Sequence, residues 1–124
     1  MSQHLLYGVG AFIPVSDLKA STSWYQNMFG FEVLHQDEPE ANTLRMSNGV
    51  VIFCLVKSQN ISQPKFPENN YSVNQYFNFL TTDVEKIHQE LQDKGASTSE
   101  IHQFDGLRGF DLYDPDGNKF GVVE

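Results

Sequence analysis

The chain has one cysteine, one tryptophan and few basic residues. A single thiol, Cys54, leaves no internal disulfide framework and no cysteine-based zinc site. Lysine and arginine together number 8 against 16 acidic residues, a formal net charge of -8. Nucleic acids and anionic membranes call for basic surface, so neither is an expected partner. No apolar run approaches the length of a membrane span, and no basic segment leads into an apolar one. The expectation is a soluble, cytoplasmic protein. Serine and cysteine do not stand in a nucleophile-elbow pattern, and no glycine-rich phosphate loop is present.

What the chain does have is aromatic rings and turns. Phe occurs 10 times and Tyr 5 times in 124 residues, enough for one compact domain with a core or pocket rich in rings. The stretch Phe110 to Val123 reads as two strands around Asp114-Pro115-Asp116-Gly117-Asn118. Proline fixes φ and holds the residue before it extended, and glycine accepts the positive φ of a tight reversal. A weaker copy, Leu44 to Phe53, turns at Asn48-Gly49. Setting Gly49 on Gly117 pairs Phe53 with Gly121.

Taken in order, the pattern appears twice. Gly8 to Val15 reads as a strand. Ser16 or Asp17 caps a helix running to about Phe29, with Leu18, Ser21, Tyr25 and Met28 on one stripe and Gly30 at its end. Phe31–His35, 42–47 and Val50–Val56 read as strands. Later, 75–81 reads as a strand and Thr82 or Asp83 as a cap. Val84, Ile87 and Leu91 mark a helix to about Lys94, ended by Gly95. A weak strand covers about 98–104, and the opening hairpin closes the chain. The expectation is one α+β domain over 1–124. It would hold two βαβββ modules, near 7–56 and 75–124, whose curved mixed sheets form a cup with the helices outside. Residues 57–74 would be a linker or a loop over a pocket.

Val15-Ser16-Asp17-Leu18, then Trp24-Tyr25 and Phe29-Gly30-Phe31, resemble the first-module signature of the vicinal oxygen chelate superfamily. That family contains glyoxalase I, bleomycin-resistance proteins, fosfomycin-resistance enzymes and extradiol dioxygenases. Asp83-Val84 through Leu91 to Gly95, with Asp114-Pro115-Asp116-Gly117-Asn118, resemble its second-module signature. The resemblance implies paired modules, often a homodimer, and in the family's enzymes one divalent metal held by His, Glu or Gln of the first and last strands. Carried over by the motifs, those positions fall on Gly10, Phe53, Tyr76 and Gly121, which include no usual ligand. One residue to either side, only Cys54 and Gln75 could donate. The expectation is therefore no metal and no other cofactor.

Strand alternation from these positions predicts a ligand-binding cup lined by Phe12, Arg45, Phe53, Tyr76, Asn78, Asp111 and Tyr113, with Lys119 nearby. Glycines at positions 8, 10 and 121 would leave it room. The plain alternative is that the aromatics fill a collapsed interior, with Arg45 and Asp111 a surface pair at the rim. His4 and His88 read as solvated; His35 and His102 lie near strand ends, and His102 is a candidate acid or base at the rim. Cys54 reads as core packing. Three functions fit. The first is a metal-free protein of the bleomycin-resistance type, binding a small aromatic or amphipathic molecule, a cationic one included. The second is a glyoxalase-like lyase or other family enzyme with unusual or no metal ligands, using Tyr76, Asp111 or His102. The third is a degenerate member with a filled cup, used for dimerisation or regulation. Whether the chain is an enzyme is left open.

Overall fold

A computed structural model describes residues 5–46, 50–104 and 106–124. His4 and the Asn48-Gly49 turn lie outside the described residues. Those that are described form two helices and nine strands: β1 (Val9–Val15), α1 (Leu18–Phe29), β2 (Glu32–Asp37), β3 (Ala41–Arg45), β4 (Val51–Lys57), β5 (Asn78–Leu80), α2 (Val84–Asp93), β6 (Ser97–Thr98), β7 (His102–Phe104), β8 (Leu107–Tyr113) and β9 (Lys119–Val123). The chain divides into two compact units, residues 1–61 and 62–124.

In the first unit the sheet order is β1-β4-β3-β2. The β1–β4 pair is parallel; the others are antiparallel. Helix α1 crosses one face because Leu18, Ser21, Thr22, Tyr25 and Met28 recur at helical spacing and are all buried there. Its start is fixed by Asp17, whose Oδ1 accepts from the Ala20 amide at 3.0 Å. Its end is fixed by Gly30, at φ 70°. A methyl group at Gly30 would touch nothing within 4 Å, so only the backbone conformation opposes it. Gly30→Ala is expected to destabilise by about 1 kcal/mol, a loss of a few degrees in melting temperature. Beneath α1 lie Ile13, Val15, Phe31, Leu44, Phe53 and Leu55, all buried.

The second unit repeats this arrangement. Its sheet runs β5-β9-β8-β6, with β7 also paired to β8. The β5–β9 pair is parallel. Asp83 caps α2 by accepting from the Lys86 amide at 3.1 Å. The buried face of α2, Val84, His88 and Leu91, lies over Phe110, Leu112, Phe120 and Val122. His88, expected to be solvated, is 8% exposed. Its Nε2 lies 2.9 Å from the Ser99 carbonyl oxygen, and its ring meets the edge of Phe110 at 4.6 Å. The weak strand expected near 98–104 is two short pieces, β6 and β7, broken at Ser99. Ser99 fills the gap: its amide donates to the Asp111 carbonyl at 2.9 Å, and its Oγ accepts from the Asp111 amide at 2.8 Å. Residues 62–77 belong to this unit, joined to it by Gln63 donating to the Asp116 carbonyl at 2.8 Å and by Lys119 donating to Asn74 at 2.8 Å.

Candidate functional site

Each sheet has one face under its helix and one face without a helix. Since directly paired residues share a face, the registers fix the membership of the second face. In the first unit they give three rows: Gly10, Ile52, Arg45 and Glu32; Phe12, Cys54, Thr43 and His35; Pro14, Val56, Ala41 and Asp37. In the second unit the rows are Leu80, Val123, Gly109 and His102; Asn78, Gly121 and Asp111; Lys119, Tyr113 and Ser97.

These rows correct one expected site residue. Phe53 belongs to the opposite, helix-covered face. It is 4% exposed, with its ring 6.3 Å from Tyr25 and 5.6 Å from Phe31. The faces of the whole strand are reversed: Phe53 and Leu55 are core, while Ile52, Cys54 and Val56 face away from α1. The cause is hairpin length. Leu44 pairs with Phe53 and Leu112 with Phe120, all four buried, and the first span is one residue longer. Aligning the two glycines therefore slips the repeat by one, and the counterpart of Gly121 is Cys54. The parallel pairs agree, since Phe12 faces Cys54 as Asn78 faces Gly121.

The other expected residues are placed as follows. Phe12 stands on the helix-free face and is 78% exposed. Arg45 shares that face and pairs with Glu32 at 3.1 Å. Tyr76 precedes β5; it is 52% exposed and packs on Phe66 at 5.0 Å. Asn78, Asp111 and Tyr113 come together on the second unit's helix-free face. Gly121 leaves no room there: a Cβ would meet the Asn78 Oδ1 and Gln75 Nε2 atoms, which are hydrogen-bonded to each other at 3.0 Å. Gly8 likewise marks close approach, to the Val50 carbonyl oxygen. Of the three glycines expected to leave room, Gly10 alone would give a Cβ near-open space, with the Ile52 carbonyl oxygen at 3.7 Å.

Lys119 links the polar part of the site. Its Nζ donates to Asn74 Oδ1 at 2.8 Å, lies 3.7 Å from Asp111 Oδ2, and sits 6.0 Å from the Tyr113 ring centre. The segment 66–74 beside it borders an open hollow of about 710 Å³ lined by Phe66, Glu68, Asn70 and Asn74. Asn69 shapes this loop, donating to the Pro67 and Val73 carbonyls and accepting from the Tyr71 and Val73 amides. Alternation with Gly121 puts Lys119 near the cup in the sequence; its role as a hub, and that of Ser99 in holding the Asp111 backbone, have no signal there.

Donors for a divalent ion do not gather here. Gly10 and Gly121 have no side chain to offer, and the Asn78 and Gln75 amides bind each other. Among the described residues no three His, Cys, Asp or Glu side chains lie close enough to share an ion. The residues present do not fit the metal site of the family's enzymes.

Two capped βαβββ-type units with parallel first and last strands define an α+β protein of the glyoxalase type. Residues 3–122 match the family model of the Glyoxalase/Bleomycin resistance protein/Dioxygenase superfamily, and the chain belongs to that superfamily. Among solved structures, an integron cassette protein from the mobile metagenome of the Halifax Harbour sewage outfall is 20% identical, with TM-score 0.77, over 94% of this chain and 96% of that one. A superfamily member from Sphaerobacter thermophilus DSM 20745 is 23% identical, with TM-score 0.75, over 97% and 98%. Lactoylglutathione lyase from Agrobacterium tumefaciens is 20% identical, with TM-score 0.74, over 99% and 96%. Identities this low establish the shared fold alone. A comparison with curated protein sequences finds no match. No helix among the described residues is long and apolar enough to cross a membrane.

Proposed function

We propose that this chain is a metal-independent binding protein for a small aromatic or amphipathic molecule, with cationic molecules included, held on the helix-free sheet faces. The observation that carries the reading is the company that an exposed ring, Phe12, and a half-buried ring, Tyr113, keep with polar groups. Phe12 stands in mid-row with Cys54, Thr43 and His35, and Tyr113 stands beside Asp111, Lys119 and Asn78. The aromatic core under α1 is complete without Phe12. Rings with nearby hydrogen-bonding groups suit a ligand that stacks and is then oriented. The failure of the donor set to fit a divalent ion supports the metal-free part.

The test is a thermal-shift screen of planar, amphipathic and cationic compounds. A ligand at a hundred times its dissociation constant is expected to raise the melting temperature by roughly 10 °C. Tyr113→Ala or Phe12→Ala is expected to remove that shift. A hit left unchanged by both would overturn the site, and stoichiometric transition metal in the purified protein would overturn metal independence. The reading includes a homodimer. It is supported by Leu5, Leu6, Tyr7 and Val9, which line one exposed hollow with Val50 and Ile52. A monomer in sedimentation at micromolar concentration would count against it.

A further inference from the structure

Asp111 carries a half-buried carboxylate with no close protein donor among the described residues. Its side chain is 23% exposed, yet among the described residues it accepts no hydrogen bond. Among the described residues its ion pair is with Lys119 Nζ, 3.7 Å away. A charge-assisted bond of this kind normally closes to about 2.7–2.9 Å. Lys119 has such a bond, at 2.8 Å, but makes it to the neutral Asn74 amide oxygen. The same Nζ stands 6.0 Å from the Tyr113 ring centre, at the outer limit of a cation–π contact. Lys119 thus touches every feature of a cation site and closes on none of them. A carboxylate beside an aromatic face is a recognition pair for ammonium groups, since the ring offers its negative face and the carboxylate its lone pairs.

We infer that Asp111 and the Tyr113 ring form a site for the ammonium group of a small aromatic or amphipathic amine, and that Lys119 is an internal stand-in which the ligand displaces. This rests on the binding function proposed above and narrows it to amines. It assigns Lys119 the opposite role from a ligand-holding residue: the lysine competes for the site. On displacement it keeps its bond to Asn74, on the loop that lines the neighbouring hollow.

Benzylamine and its neutral counterpart benzyl alcohol are the probes, titrated in amine-free buffer and followed by calorimetry and amide chemical shifts. Lys119→Met is expected to bind benzylamine about tenfold more tightly than the unaltered protein. Lys119→Gln keeps a donor for Asn74 and is expected to behave alike, which covers the case in which Lys119→Met folds badly. Lys119→Arg keeps the charge and is expected to remain as weak as the unaltered protein. Asp111→Asn is expected to lose benzylamine binding, and benzyl alcohol is expected to bind none of these proteins measurably. The inference is overturned if neither Lys119→Met nor Lys119→Gln binds benzylamine more tightly, or if Asp111→Asn binds it unchanged. If those results come with a neutral planar compound that shifts the Gly121 and Tyr113 amides, the amine assignment fails and the binding function stands. If no compound binds any of the proteins, both fail.

Discussion

Phe53→Ala is expected to lower the unfolding free energy by about 3–5 kcal/mol, read as a shift of the midpoint in urea at unchanged slope. The ring is buried between Tyr25, Phe31 and Leu44, so its removal deletes apolar contacts and leaves a cavity that helix α1 cannot close without tilting. That loss is a large part of the stability of a domain this size. The neighbouring substitution Cys54→Ala, on the other face of the same strand, is expected to cost less than about 1 kcal/mol. Its thiol is half-buried and receives a long contact from the Thr43 hydroxyl, at 3.7 Å. The contrast between adjacent residues tests the register. A mild Phe53→Ala beside a severe Cys54→Ala would mean that β4 presents the other parity.

The same strand shows where the sequence ceased to be legible. Val51-Ile52-Phe53-Cys54-Leu55-Val56 is apolar at every position, so alternation has no polar residue to mark the outer face. Parity had to be borrowed from the repeat, and the longer first hairpin shifted it by one. In β8 and β9 the polar residues Asp111, Tyr113 and Lys119 alternate with Phe110, Leu112, Phe120 and Val122, and there the reading of both faces agrees with the registers. Both helices were legible through their Asp caps and their spacing. The burial of His88 is marked in the sequence by its spacing, four residues after Val84 and three before Leu91. Counting back from Asp83 to Tyr76 assumes a strand as long as β1, whereas β5 starts only at Asn78. The division at Ser99 could not be read, because it depends on a side chain replacing a backbone partner.

Asp114→Ala is expected to be nearly as severe as Phe53→Ala, at roughly 2–4 kcal/mol, though no apolar contact is involved. Asp114 opens the turn between β8 and β9 and is buried. Its Oδ1 accepts from the Asp116 amide at 2.9 Å and the Asn118 amide at 2.8 Å, and its Oδ2 accepts from the Asn118 side chain at 2.7 Å. Removing the carboxylate deletes charge-assisted bonds to the Asp116 and Asn118 amides and to the Asn118 side chain inside a buried turn, and the loss of these bonds sets the size of the effect. Gly117 at φ 81° and the Gly117 amide bond to the Asp114 carbonyl, 3.0 Å, keep the chain reversing, so the turn is expected to loosen rather than disappear. Asp114→Asn retains Oδ1 as an acceptor and is expected to recover more than half of the loss in urea unfolding. Since Tyr113 and Lys119 flank this turn and pair across it, Asp114→Ala is also expected to weaken any ligand that depends on Tyr113. Undiminished ligand binding in Asp114→Ala, at full stability, would show that the side-chain bonds of the turn do not position the site.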